Sequence, residues 1–100
     1  MKINLRLLQE IKQYIPPAEF YRTELSAMPP LRKHGWHDGG LCPFHDDKRT
    51  GSFHVNLETG AFKCFSCGAK GGDIVTFIQQ RDALTFNEAL QKLSDGWGWT

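Results

Sequence analysis

The sequence contains only three cysteines in 100 residues. An odd number of cysteines cannot pair completely, so a disulfide framework of the kind that supports small secreted domains is disfavoured. Long apolar runs are also lacking, and no stretch approaches the roughly 20 apolar residues that a membrane-spanning helix needs. The start of the chain lacks the apolar segment of a signal peptide, since Arg6 and Glu10 interrupt it. We therefore expect a cytoplasmic protein whose thiols stay reduced and available to a metal ion.

The chain has no excess of charge of either sign. Twelve Lys and Arg residues stand against eleven Asp and Glu residues, which gives a formal net charge of +1. The molecule as a whole has no field that would draw it onto a polyanion, so any affinity for nucleic acid must come from a local patch. Hydrophobic residues make up 40% of the chain, as in ordinary globular proteins. We expect residues 1–100 to form one domain, whose small core a metal ion would help to complete.

The first thirty residues have the periodicity of helices. A first helix, capped by Asn4 and ended by Pro16-Pro17, would present one apolar face. The residues at that spacing are Leu7, Leu8, Ile11, Tyr14 and Ile15. A second short helix is possible between Ala18 and Pro29-Pro30, with apolar positions at Tyr21, Leu25 and Met28. The glycine-rich segment 31–41 has no clean period, and a short strand near either end of it would fit.

The middle of the chain predicts a β-hairpin. Polar and apolar residues alternate over residues 52–56, and a second short segment, residues 61–65, follows a turn that ends at Gly60. Gly60 would supply the positive φ that such a turn requires. The alternation directs Phe53 toward the core and His54 to the opposite face. If Phe62 is buried too, its neighbour Lys63 lies on the face that carries His54.

Two short helices are predicted after the hairpin. Asp73 is a suitable N-cap for the first helix. Thr85 and Glu88 have the capping-box spacing at the start of the second, which Asp95-Gly96 would end. The expected buried positions are Ile74, Phe77, Ile78, Phe86, Ala89, Leu90 and Leu93. The predicted fold is α+β, with a small antiparallel hairpin flanked by an N-terminal helix and two short C-terminal helices.

Two pairs of metal-ligand residues flank the predicted hairpin. Cys42 and His45 have two residues between them, as do Cys64 and Cys67, and 18 residues separate the pairs. Such pairs converge on one tetrahedral ion, and thiolate and imidazole ligands without a carboxylate favour zinc. Because four protein ligands leave no position for a reacting water, we predict one closed, structural Zn²⁺ site. Removing the ion should unfold the hairpin.

Two other histidines compete with His45 for the role of fourth ligand. His34 and His37 also have two residues between them, and either can take its place on spacing alone. We favour His45 because it completes a turn with Cys42, whereas His37 lies on the far side of Gly39-Gly40. His54 falls in the middle of a predicted strand and is interpreted as a surface residue.

Four segments of the sequence together resemble the Cys-His-Cys-Cys zinc-binding domain of bacterial, phage and plasmid DNA primases. They are CPFH from residue 42, SF from residue 52, FKCFSCG from residue 62 and GGDI from residue 71. The resemblance implies a zinc ribbon, with its core at about residues 41–70, that contacts single-stranded template DNA in primer synthesis. It also implies a primase catalytic domain or a replicative helicase as partner. Nothing here resembles the acidic motifs of a primase polymerase centre, so we expect a non-catalytic part or accessory of a primase.

A site for single-stranded DNA needs cations for phosphates and flat rings for stacking. Cations around the predicted ribbon are supplied by Lys48, Arg49, Lys63 and Lys70. Rings are available at Phe65, beside a metal ligand, and at Trp36. The predicted DNA-binding residues are Lys48, Arg49, Lys63, Phe65 and Lys70, with Lys63 foremost because the alternation leaves it on the open face of the hairpin.

Two other functions fit the same residues less well. The chain could be a zinc-stabilised docking module that holds a replication or transcription protein through its last helix and Trp97 and Trp99. An enzyme is the third hypothesis, either a zinc hydrolase or a thiol redox protein that uses Cys64 and Cys67. A closed site denies a hydrolase its water, and redox chemistry leaves Cys42 and His45 without a role.

Overall fold

The computed structural model describes residues 5–30, 35–46 and 48–96. The helices and strands in chain order are α1 (Leu5–Tyr14), α2 (Pro17–Glu24), β1 (Trp36–Asp38), β2 (Phe53–Asn56), β3 (Phe62–Cys64), β4 (Lys70–Gly71), α3 (Ile74–Asp82) and α4 (Phe86–Gly96). The four strands form one antiparallel sheet in the order β1-β2-β3-β4. The predicted α+β class is therefore confirmed. Within the described ranges, no helix combines the length and apolar character needed to cross a membrane.

The N-terminal region holds two helices, whereas the predicted fold counted one. Pro17 occupies the first turn of α2, where its missing N–H leaves no hydrogen bond unmade. The helix ends at Glu24, well short of Pro29-Pro30, because Leu25 already has extended backbone angles (φ −114°, ψ 90°). The second helix, whose presence the sequence pattern did not decide, is therefore formed but short.

One described position on the predicted apolar face of α1 is exposed. Ile11 and Ile15 are buried as expected, and Leu8 packs against the core. Tyr14, however, is 54% exposed. Successive helical residues are about 100° apart, so burying Ile15 turns Tyr14 toward the edge of the buried face. Asn4, the predicted cap, lies outside the described residues, as does the side chain of Leu7, a predicted position of this face.

The predicted hairpin forms the centre of the sheet. β2 and β3 pair in the register Phe53 with Cys64, His54 with Lys63 and Val55 with Phe62. The turn between them ends at Gly60, whose φ of 84° is in the left-handed region, as predicted. The alternation also predicted the faces correctly, because Phe53 and Phe62 are buried while His54 and Lys63 share the opposite side. We call that side, which carries His54 and Lys63, the outer face of the sheet.

Two short strands extend the hairpin to a four-stranded sheet and were not part of the predicted fold. β1 pairs with β2, so that Trp36 lies opposite Asn56, and β4 pairs with β3, so that Lys70 lies opposite Lys63. β1 lies in the middle of the glycine-rich segment and not near its ends. Backbone hydrogen bonding to the hairpin determines these strands, since three and two residues are too few to show an alternating pattern.

Phe77 of α3 lies at the centre of the core. Its ring centroid is 5.2 to 6.4 Å from the rings of Phe20, Tyr21, Phe44, Phe53 and Phe62. The Tyr21 hydroxyl donates a 2.6 Å hydrogen bond to the Gly60 carbonyl, which fixes α2 to the hairpin turn. The helices and the inner side of the sheet therefore share one set of packed aromatic rings.

The N-termini of the last two helices are capped as predicted. Asp73 accepts a 2.8 Å hydrogen bond from the Thr76 N–H. Thr85 and Glu88 form the reciprocal capping box, with N–H to side-chain distances of 2.8 and 3.1 Å. The helix α4 extends to Gly96, within the Asp95-Gly96 end that the sequence predicted, and the described residues end there. Glycine lowers helix stability by only about 1 kcal/mol relative to alanine, which one exposed position tolerates.

Candidate metal centre

Two turns beside the sheet bring the four predicted metal ligands together. Cys42 follows β1 after a short glycine-containing segment, and His45 lies in the turn that comes next. Cys64 is the last residue of β3, and Cys67 lies in the turn that leads to β4. The ligand atoms of these four residues all lie within 4.8 Å of one another. Cys42 and Cys64 are buried, whereas Cys67 is exposed.

The spacing of the sulfur atoms fits a tetrahedral zinc ion. Zn–S bonds of about 2.3 Å give a tetrahedron whose S–S edge is about 3.8 Å. The Sγ atoms of Cys42 and Cys67 are 3.8 Å apart, far beyond the S–S bond of about 2.05 Å in a disulfide. Three thiols and an imidazole, with no carboxylate in the group, form a donor set typical of structural zinc. The residues present therefore fit the metal that their spacing predicted.

Backbone N–H groups are directed at the first sulfur of each turn. The Phe44 N–H donates to the Cys42 Sγ at 3.4 Å. Burial opposes ionisation of Cys64, but hydrogen bonds from the backbone of Cys67 and Ser66 outweigh it and lower the pKa of that thiol. At Cys42 burial dominates and raises the pKa to about 12. In both turns the backbone N–H groups favour the thiolate, the form in which cysteine binds a metal, although burial outweighs their effect on the pKa of Cys42.

The competing histidines do not join this group. His37 is buried in β1, with its Nε2 3.3 Å from the Pro30 carbonyl oxygen. His54 lies on the outer face, with its Nε2 3.1 Å from the Gly51 carbonyl oxygen. His34 lies outside the described residues. Of the histidines that the structure describes, His45 is the one placed with the three thiols.

Three of the five predicted DNA-binding residues lie together on the outer face. Lys63 and Lys70 are cross-strand partners on β3 and β4. The Lys63 Nζ lies 4.8 Å from the ring centroid of Phe65, and that ring is 68% exposed. Lys48 and Arg49 are exposed in the loop that leads to β2.

A cleft on the outer face includes two residues outside the predicted DNA-binding set. It has a volume of about 370 Å³ and is lined by Trp36, His54, Lys63 and Phe65. Trp36 is 51% exposed, and the rings of His54 and Phe65 meet edge to face with centroids 5.6 Å apart. The alternation of β2 had already directed His54 to this face. The position of Trp36 depended on β1, which the sequence did not predict.

Comparison with known protein families identifies the group to which this centre belongs. The model of the CHC2 zinc finger matches residues 6–100. The chain belongs to the CHC2 zinc-finger family. This membership confirms the resemblance deduced from the four sequence segments, and the CHC2 description corresponds to the Cys42, His45, Cys64 and Cys67 group.

Relatives of this CHC2 zinc finger include DNA primases. It is 52% identical over 61 residues to the DNA primase of Mycolicibacterium smegmatis, and 48% identical over 65 residues to that of Listeria monocytogenes. These matches cover 61% and 65% of this chain but 9% and 10% of the two primases. The fold matches the crystal structure of the Aquifex aeolicus primase zinc-binding and RNA polymerase domains with a TM-score of 0.68 and 25% identity. That match covers 92% of this chain and 21% of the other. The chain therefore spans about a tenth of the length of the curated primases.

Proposed function

We propose that this CHC2 zinc finger binds one structural Zn²⁺ ion through Cys42, His45, Cys64 and Cys67. The support is the convergence of the four ligand atoms and the 3.8 Å separation of two of the sulfurs. When bound, the ion supplies a cross-link between the turn after β1 and the turn before β4. With every ligand drawn from the chain, the site has no open position for catalysis.

We further propose that residues 1–100 form a single zinc-binding domain of a DNA primase, with a zinc-ribbon core at about residues 41–70. The support is the family membership and the shared aromatic core, in which Phe77 of α3 packs on Phe44, Phe53 and Phe62 of the metal-binding half. The domain would act in the cytoplasm beside a primase catalytic domain or a replicative helicase. It carries no polymerase centre of its own in this proposal.

The proposed ligand of the domain is single-stranded template DNA, bound on the outer face of the sheet. The observation that carries this is the grouping of Lys63, Lys70 and the exposed ring of Phe65. Lysine ammonium groups would neutralise phosphates, and the exposed ring offers a base a surface for stacking. A duplex would keep its bases stacked on one another, so the aromatic part of this surface favours single strands. Lys48 and Arg49 would contact phosphates from the neighbouring loop.

Fluorescence anisotropy with labelled single- and double-stranded oligonucleotides over a series of salt concentrations tests this function. We expect the zinc-loaded protein to prefer the single strand. The double variant Lys63→Ala/Lys70→Ala should weaken binding and reduce the log–log salt slope by about 1.4, since each phosphate contact on a single strand contributes about 0.7. Arg6→Ala/Arg22→Ala is the matched control, because both arginines are exposed on the two N-terminal helices and their loss also removes two positive charges.

The outcomes of this experiment separate DNA binding from the alternative function. Equal losses in the Arg6→Ala/Arg22→Ala control and in the Lys63→Ala/Lys70→Ala variant would mean that net charge alone explains the effect, and would contradict a site on the outer face. Absence of single-strand binding by protein with full zinc content would contradict the DNA function altogether. The docking-module hypothesis would then be preferred, and deletion of residues 96–100 would test it by loss of partner capture.

A further inference from the structure

The cleft on the outer face has aromatic walls that come from opposite sides of the hairpin. Trp36 on β1 lies opposite Asn56 of β2, whereas the Phe65 N–H donates to the carbonyl of Ser52 at the other end of β2. The two backbone positions are therefore two strands apart, about 10 Å, and four residues apart along the strands, about 13 Å. Both side chains nevertheless line the same cleft, with His54 in the row between them.

We propose that Trp36 and Phe65 are the two walls of a pocket for one unpaired nucleobase of the bound DNA strand. The His54 ring forms the floor of this pocket, and Lys63 binds the phosphate of the same nucleotide. This proposal rests on the proposed function, the binding of single-stranded DNA, and names the residues that would contact one of its bases. It adds Trp36 and His54 to the DNA-binding set that the sequence predicted.

Three properties of the cleft favour a base over other occupants. Its volume of about 370 Å³ lies at the small end of the range for ligand pockets, which suits one flat ring system better than a peptide segment. Three of its four lining residues present rings, which stack on any base. The fourth, Lys63, supplies the positive charge that complements a phosphate.

The charges around the cleft are compatible with a nucleotide. Asp38 is the acidic residue opposite His54 in the sheet, but its Oδ1 accepts a 2.8 Å hydrogen bond from the Gly40 N–H. This contact turns the carboxylate toward its own loop.

The Lys63 ammonium lies over the Phe65 ring at a 68% exposed position, where a cation–π contact is weak. The ammonium can therefore leave the Phe65 ring and bind a phosphate when a base stacks on that ring.

A strand of about ten abasic deoxyribose phosphates, compared with the same strand carrying one base, tests the pocket directly. Binding of the abasic strand measures the phosphate contacts alone. The strand with one base can bind in several registers, so its base can reach any stacking position on the protein. We expect the base to raise the affinity of the zinc-loaded protein about tenfold with no change in salt slope. Trp36→Ala and Phe65→Ala should each abolish this gain. Tyr14→Ala, which removes an exposed ring from α1, should leave it intact.

The alternatives give different results in the same experiment. If Trp36 and Phe65 stacked two separate bases, either ring could hold the single base, so each single variant would keep the gain and the pocket would be contradicted. No gain from the base, with ordinary single strands still bound, would overturn the pocket but leave the proposed function standing. Failure of ordinary single strands to bind would instead overturn the proposed function.

Tryptophan fluorescence gives an independent reading of the same contact. The sequence has three tryptophans, so the variant Trp97→Phe/Trp99→Phe leaves Trp36 as the sole source of tryptophan emission. We expect the strand with one base to quench this emission and the abasic strand to leave it unchanged. Equal emission with both strands, at concentrations where anisotropy shows both bound, would contradict stacking on Trp36.

Discussion

The Phe44 ring stacks on the Phe62 ring, with centroids 5.3 Å apart and planes inclined by 20°. Phe44 lies between two proposed zinc ligands, Cys42 and His45, and Phe62 is a buried residue of β3. The Phe44 ring also meets Phe77 edge to face at 5.5 Å. The first metal-binding turn is therefore attached to the aromatic core, and the metal centre and the core should gain or lose order together.

Replacing this ring should destabilise both parts of the molecule. For Phe44→Ala we expect a loss of about 2–4 kcal/mol in the free energy of unfolding, because the side chain is partly buried and its removal leaves a cavity among three other rings. Zinc affinity should fall as well, since the turn loses its anchor. Urea unfolding and competition with a chelator measure the two effects.

Phe65→Ala is the matched control for this substitution. Phe65 lies between the other two proposed ligands, but its ring is 68% exposed. We expect its removal to change the free energy of unfolding by no more than about 0.5 kcal/mol. Equal losses from the two substitutions would mean that the Phe44 stack does not couple the turn to the core.

Two adjacent glycines offer a test of packing at the edge of the sheet. A Cβ at Gly71 would lie 2.5 Å from the Phe62 ring and 2.5 Å from the Thr76 methyl group. Gly71→Ala should therefore cost about 1–3 kcal/mol of stability through overpacking. A Cβ at Gly72 would have no heavy atom within 4 Å, so Gly72→Ala should be nearly neutral. Thermal unfolding of both variants tests this, and comparable shifts in midpoint would contradict the close packing of Gly71 on β4 against Phe62 and Thr76.

Patterns that depend on neighbours in the sequence predicted their parts of the molecule well. The alternation in β2 identified the buried and outer faces, because side chains of a strand point alternately to the two sides of a sheet. The left-handed Gly60 and the Thr85–Glu88 capping box are also local, and both were found as predicted. The convergence of the four ligand atoms followed from the spacing of two short turns around a hairpin.

Features created by tertiary contacts were the ones that the sequence did not predict. β1 and β4 exist because their backbones pair with the hairpin, and such short segments have no period of their own. The exposure of Tyr14 depends on which part of α1 meets the core. The cleft between Trp36 and Phe65 requires β1 to be in place, so these two rings could not be paired from the sequence.

The cap of α3 leads to a prediction about pH. Asp73 caps α3 and lies 3.1 Å from the Lys12 Nζ. Burial opposes ionisation of its carboxyl group, but hydrogen bonds from Thr76 and the contact with Lys12 outweigh burial and lower the pKa. A lowered folded-state pKa gives stability that is complete above the unfolded-state value and is lost as the pH falls through the folded-state value. The contribution of Asp73 should therefore be constant between pH 5 and pH 7.

Asp73→Asn separates this contribution from that of the metal centre. Asparagine keeps an acceptor for the cap but loses the ion pair, so we expect a loss of about 0.5–1 kcal/mol, equal at pH 5.5 and pH 7. The parent protein should become less stable over the same interval for a different reason, because zinc ligands take up protons. Urea unfolding at both pH values measures the difference, and a difference that shrinks at pH 5.5 would contradict the lowered pKa.

Removal of the metal should disorder the two turns and the sheet between them. Zinc binding is worth roughly 10–16 kcal/mol in small zinc-finger peptides, more than the stability of an ordinary domain of this size. We expect a strong chelator to abolish the amide protection of β2 and β3 in hydrogen exchange, and added zinc to restore it. Unchanged protection of both strands after complete loss of the ion would show that the aromatic core holds the sheet by itself.

Native mass spectrometry of protein purified without chelator measures the occupancy of the centre most directly. We expect the parent chain to carry one zinc ion, and His45→Ala to lose it at chelator concentrations that leave the parent loaded. The matched variants His37→Ala and His54→Ala should keep the ion as firmly as the parent. A parent chain without zinc, or a His45→Ala variant that holds zinc as tightly as the parent, would contradict a centre made of three thiolates and this imidazole.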